Sequence, residues 1–142
     1  MHQIKPHLLW VGHAGDGRNF QEIFDNRIRA IVQLALEEPP IQPPRDLVFC
    51  RIPLIDGTGN DPVLLNLAID TVAALQRSRI STLVCCGGGM SRSPAIAAAA
   101  LSAVEHKPLE ECLRIVAESR PHDVLPGLWA EVRYASGEDQ GE

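Results

Sequence analysis

The sequence predicts an α/β layered domain with a mostly parallel central sheet of four to five strands flanked by helices. Two observations carry that expectation. Short β-branched runs alternate with longer segments of helical periodicity, and glycine- or proline-rich connections separate them. In addition, 142 residues with 45% hydrophobic content are one domain's length with an ordinary core. Residues 1–136 are expected to form that domain and residues 137–142 a polar acidic tail.

His7 to Gly12 (HLLWVG) is the first expected strand, and Asn19 to Asn26, built around Phe20, Ile23 and Phe24, a short helix. Ile28 to Leu36 supplies a second strand. Glu37 to Arg45 holds four of the 11 prolines and reads as a loop. Asp46 to Leu54 is a third strand whose apolar run ends at Pro53, followed by the turn-rich loop Ile55 to Asn60. Asp61 before Pro62 marks a helix entry, since the carboxylate caps first-turn amides and proline at the first helical position loses no hydrogen bond. That helix runs to about Ser78, with Leu64, Leu65, Ala68, Ile69, Val72 and Leu75 on one face. Thr82 to Cys85 is a fourth strand. Pro94 to Val104 is apolar nearly all round and is expected to be a central, buried helix. Pro108, Glu110 and Glu111 open another helix ending at Arg120, where Pro121 stops it, and Gly127 to Tyr134 forms the last.

The net charge of −5, with no basic cluster, speaks against electrostatically driven binding to nucleic acid or anionic membrane. Met1 to Val11 carries charge and proline where a signal peptide needs an apolar core, and no apolar run approaches a membrane span. A cytoplasmic monomer is expected. Cys50, Cys85, Cys86 and Cys112 lack the spacing of a zinc site. No cofactor is expected.

The segment Cys86-Gly87-Gly88-Gly89-Met90-Ser91-Arg92-Ser93-Pro94 joins the fourth strand to the alanine-rich helix. A strand, a tight loop and a helix start make an anion cradle, because loop amides and first-turn amides converge and the helix dipole adds positive potential. Cys followed six places later by Arg is a weak signal alone, arising by chance in about one such chain in three. The context gives it weight. Gly87, Gly88 and Gly89 allow unusual dihedrals and remove Cβ atoms from a ligand's path, and the Arg92 guanidinium can grip two phosphate oxygens as a planar fork, with Met90 and Ser91 completing the loop. Such an environment favours a thiolate at Cys86, which can attack phosphorus in line to give a phosphocysteine that water hydrolyses. Ser93 can donate to the sulfur as it leaves in the second step or serve as an ordinary first-turn residue, and the two roles are compatible. The departing ester oxygen needs a proton from a general acid. Asp61 already has a capping duty. Asp56 has none, although Asp-Gly is also a common turn pair. Cys85 lies one place too far from Arg92 and reads as a small buried hydrophobe.

These residues resemble the Cys-dependent phosphatases, and in particular the small atypical dual-specificity phosphatases. The resemblance runs from about Ile4 to Val132. Besides the loop, it covers the opening Ile4-Lys5-Pro6-His7-Leu8-Leu9-Trp10-Val11-Gly12, the strand Ile31-Val32-Gln33-Leu34-Ala35, and Ile52-Pro53-Leu54-Ile55-Asp56. It also covers Arg120-Pro121 followed by Pro126-Gly127-Leu128-Trp129. It implies a protein tyrosine phosphatase-like fold and metal-independent hydrolysis of phosphate monoesters: phosphotyrosine, phosphoserine, phosphothreonine or a small metabolite. In that reading Cys86 is the nucleophile, Arg92 the phosphate clamp and Asp56 the acid and then the base. The chain departs from the family at Cys85, where the family usually has His, and at Gly127, where it favours Asn.

Low-molecular-weight tyrosine phosphatases and arsenate reductases share the loop spacing but carry it near the N-terminus with a downstream acid. Rhodanese-fold phosphatases share the spacing too, but the Pro-loop-Asp strand and the Arg-Pro ending fit them less well. A nucleotide P-loop needs Gly-Lys-Ser/Thr, which does not occur. The neutral loop interior favours a singly phosphorylated substrate over phosphoinositides, with Arg45, Arg51 and Arg120 as outer basic groups. The alternatives from other classes are a catalytically weak phosphate-binding module that recognises phosphorylated partners, and a thiol redox protein using Cys85 and Cys86.

Overall fold

The computed structural model describes residues 1–44, 46–119 and 121–137. One five-stranded sheet organises the chain, in the spatial order β1-β2-β5-β3-β4. Its strands are β1 (His2–Gln3), β2 (Leu9–Gly12), β3 (Ala30–Ala35), β4 (Val48–Leu54) and β5 (Thr82–Cys85). β2, β5, β3 and β4 run parallel, and only β1 pairs antiparallel, on β2. The sheet is therefore mixed and mostly parallel, as the sequence predicts. β1 was not foreseen, because two residues carry no readable alternation.

Side chains alternate cleanly across the sheet. Leu9, Val11, Val32, Leu34 and Val84 face a large core shared with helices α2 (Pro62–Arg77), α3 (Arg92–Glu105), α4 (Leu109–Ser119) and α5 (Pro126–Ala135). Trp10, Ile31, Leu83 and Cys85 face a smaller core closed by α1 (Phe20–Asp25) and by Ile28, Ile41 and Leu47. A single 3-10 turn, Asp16–Arg18, covers that second face beside β5.

The helix entries follow their local chemistry. Asn19 caps α1 by accepting from the Glu22 amide at 3.2 Å, and Asp61 caps α2 by accepting from the Val63 amide at 2.9 Å, with Pro62 in the first turn. α3 begins at Arg92, two residues before the expected Pro94; proline fits inside the first turn because its missing N–H has no intrahelical acceptor there. Every residue from Arg92 to Leu101 is buried, so this alanine-rich helix is the central one. β4 continues through Pro53 to Leu54, which an edge strand tolerates where a central strand would lose a ladder bond. Arg45 and Arg120, the tail 138–142 and the Arg-Pro junction before Pro121 lie outside the described residues.

Candidate active site

Four parallel strands end on one margin of the sheet and deliver the site. β5 lies between β2 and β3, so the chain's strand order reverses there, and the crevice beyond the strands' carboxyl ends is where open α/β sheets bind ligands. β2 brings Gly12, β5 brings Cys86, β3 brings Glu37 and β4 brings Asp56 to this margin.

The loop from Cys86 to Ser93 is tied to its surroundings through carbonyls. The Gly87 carbonyl accepts from the Ala14 amide at 3.1 Å, and the Met90 carbonyl accepts from the Asp123 amide at 2.7 Å. The Cys86 amide donates to the Gly12 carbonyl at 3.3 Å. Among the described residues, the amides of Gly87 to Ser93 have no protein acceptor, which leaves them for an anion. Gly89 is held at φ +76, and a Cβ there would stand 2.8 Å from the Gly12 backbone carbon. Only glycine allows that approach. At Gly88 a Cβ would meet nothing within 4 Å, so the crown of the loop faces open space. Met90 is exposed at its side, whereas Ser91 is buried and its hydroxyl accepts from the Leu125 amide at 3.3 Å instead of capping α3.

Arg92 is buried, and its five N–H groups can be accounted for. One edge of the guanidinium meets Glu37 as a bidentate pair, Nη1 to Oε1 at 2.7 Å and Nη2 to Oε2 at 2.6 Å. Nη1 also donates to the Leu54 carbonyl at 3.0 Å. The other edge, Nε–H with the second Nη2 hydrogen, remains, and Nε is buried without a partner. Arg92 therefore presents a fork, but a different one from a free guanidinium: Glu37 holds one side so that the other is aimed. The hydrogen bonds to Glu37 chiefly keep Arg92 charged, with Cys86 and Asp56 adding negative charge nearby and burial opposing. In return, the Arg92 hydrogen bonds hold the Glu37 carboxyl down at about 2.

Glu37 is the residue that reading the sequence missed. It opens the proline-rich loop, and the buried Gln33 fastens that loop by donating to the Pro39 carbonyl at 2.9 Å and accepting from the Ile41 amide at 3.0 Å. Arg51 adds bonds to the carbonyls of Leu36 and Glu38 at 3.2 and 3.3 Å, which places it beside the site on the Glu37 side. The available signal was an acid at the carboxyl end of a parallel strand. Gly12 was likewise missed as a partner of the cradle.

Cys86 and Cys85 point to opposite faces. Cys86 is buried beneath the loop on the large core, and Cys85 lies in the small one. All four cysteines are free. Burial pushes the Cys85 thiol up to about 12. A Cβ at Gly17 would stand 2.7 Å from Ile41 Cδ1 and 2.9 Å from Cys85 Sγ, so the 3-10 turn packs closely over the Cys85 thiol. The redox reading, which needs the two thiols together, has no geometric support. Ser93 is fully buried at the second position of α3, and its hydroxyl donates to the Gly12 carbonyl at 3.5 Å, a long bond. Asp56 is exposed on the loop after β4, within electrostatic reach of Arg92. Among the described residues, no group of three His, Cys, Asp or Glu side chains is placed to hold a metal ion.

No family model matches the sequence, and no curated protein matches it significantly. Solved structures do. The chain is similar to human DUSP28, with 22% identity, a TM-score of 0.86, and 99% of this chain and 98% of that one covered. It is similar to a mouse putative dual specificity phosphatase complexed with zinc tungstate, with 24% identity, a TM-score of 0.85 and coverage of 98% and 87%. It is also similar to human tyrosine phosphatase-like serine/threonine/tyrosine-interacting protein, with 16% identity, a TM-score of 0.80 and coverage of 99% and 98%. With nearly all of this chain covered at TM-scores of 0.80 or more, the chain has the fold of the dual-specificity phosphatases.

Proposed function

We propose that the protein is a metal-independent phosphatase that hydrolyses phosphate monoesters through a phosphocysteine intermediate. The observation that carries this reading is the unspent donor set: Arg92 Nε and the amides of Gly87 to Ser93, all in the loop and helix start that follow Cys86, have no protein acceptor. A phosphate dianion supplies the acceptors that such donors lack. In the first step the Cys86 thiolate forms a bond to phosphorus as the ester P–O bond breaks, and Asp56 transfers its proton to the leaving oxygen. In the second, water attacks phosphorus, the Asp56 carboxylate takes its proton, and the P–S bond breaks to return the thiolate. The long Ser93 bond to Gly12 is easily exchanged for one to the departing sulfur.

The neutral loop interior supports singly phosphorylated substrates, phosphotyrosine foremost, with phosphoserine, phosphothreonine and small phosphomonoesters as further candidates. Steady hydrolysis of an aryl phosphate in the presence of chelator is expected, and Cys86→Ser should lower it at least about ten-thousandfold. Tight binding of phosphopeptide with no turnover by the wild type would instead make the protein a phosphate-binding module.

A further inference from the structure

Asp56 has no hydrogen-bond partner of its own among the described residues, and its loop is intrinsically soft. Gly57 and Gly59 sit at φ +137 and +100, where the backbone gains little from its own preferences. Two side chains give the loop its shape. Asn60 closes it, accepting from the Ile55 amide at 2.7 Å and donating through Nδ2 to the carbonyls of Ile55 and Gly57 at 3.0 and 3.1 Å. Glu131, on α5 and more than seventy residues away, then holds the closed loop from outside. Its Oε2 accepts from the Gly59 amide at 2.8 Å, and its Oε1 accepts from the Asn60 amide and from Asn60 Nδ2, both at 3.1 Å.

Packing meets the loop on one side of a groove. A groove of about 360 Å³, lined by Thr58, Asn60, Pro62, Leu65, Gly127 and Tyr134 among others, lies between the loop and α5. The close steric contact across it is at Gly127, where a Cβ would stand 2.5 Å from Thr58 Cγ2. Gly127 thus lets the loop settle against the first turn of α5, and Glu131, one helical turn further on, takes its amides.

We propose that Glu131 is a positioning residue for the general acid: by accepting three hydrogen bonds from Gly59 and Asn60, its carboxylate fixes the loop that carries Asp56 over the cradle. This rests on the assignment of Asp56 made above. The hydrogen bonds are charge-assisted but lie near solvent, so their loss should be felt as a loosened acid and not as unfolding.

The test compares two substrates. Phenyl phosphate needs a proton on its leaving oxygen, whereas difluoro-4-methylumbelliferyl phosphate departs as an anion. In Glu131→Gln and Glu131→Ala, kcat on phenyl phosphate should fall about three- to tenfold while kcat on the activated ester changes less than about twofold. Glu131→Asp should recover part of the loss. The ratio of the two rates does not depend on the fraction of folded enzyme, so a merely structural role would leave it unchanged. An unchanged ratio in the Glu131 variants, alongside a changed ratio in Asp56→Asn, overturns the role of Glu131 and leaves that of Asp56 standing. An unchanged ratio in Asp56→Asn removes both.

Discussion

The cradle and the Asp56 loop leave the same end of the sheet, from strands separated by β3, and both are rich in glycine, yet they are held in opposite ways. The cradle leaves the interior strand β5, passes directly into the buried α3, and is fixed by backbone bonds to Gly12, Ala14 and Asp123 and by the Arg92–Glu37 pair. The Asp56 loop leaves the edge strand β4, is exposed, and is shaped by the side chains of Asn60 and Glu131. On the function proposed above, the difference separates two tasks. Neutralising a phosphate demands donors fixed in advance, since any reorganisation would be charged against the barrier. Delivering a proton tolerates a group that moves in and out of reach.

If that division is right, damage to the two loops should read differently. The largest effect after loss of the nucleophile is expected from Asp56→Asn, about a hundredfold or more in kcat on unactivated esters, with the alkaline limb of the pH–rate profile flattened. Asp61→Asn should leave that limb in place, because its carboxylate serves the first turn of α2. A profile that loses its limb in Asp61→Asn and keeps it in Asp56→Asn would reverse the assignment. Gly89→Ala comes next, placing a Cβ against the Gly12 backbone at a φ that disfavours alanine. About a hundredfold loss in kcat on both kinds of ester is expected, with about 1–3 kcal/mol of stability, read by steady-state kinetics and denaturant unfolding. Gly88→Ala is its control: with open space around the added methyl, it should stay within about 0.5 kcal/mol of wild type.

The smallest effect sharpens the comparison through pH. The Glu37 carboxyl titrates at about 2 in the folded protein instead of at its ordinary 4.5. A depressed carboxylate contributes stability that is complete above its unfolded value and lost as pH falls through the folded one. The stability gap between wild type and Glu37→Gln should therefore be constant above about pH 5 and close between pH 4.5 and 2. Because Glu37 is more than half exposed on its outer side, solvent screening keeps the gap modest. A gap that widens on acidification would show that the pair does not hold Arg92.

Local chemistry was legible in the sequence and distant pairing was not. Asp61 and Pro62 announce α2, and the run Thr82–Cys85, the glycines and the alanines announce a strand, a loop and a buried helix, because each signal lies within a few residues of what it causes. Glu37 meets Arg92 across 55 positions and Glu131 meets Gly59 across 72, so neither has a spacing to read. Both look like solvated acids in the sequence, and only the parallel register of β3 and β5 and the placement of α5 give them partners. The start of α3 lies two residues earlier than expected because a proline at the third helical position is compatible with the first turn, so Pro94 does not mark the boundary.

Neither lateral edge of the sheet offers another chain a long unbroken row of amides. β1 offers two residues, and β4 carries Pro53, which has no N–H to give. A flat edge with a row of unpaired amides would invite strand-by-strand growth between molecules. With one edge so short and the other interrupted, strand-by-strand growth should be disfavoured at both lateral edges, while the strand ends that carry the cradle stay open.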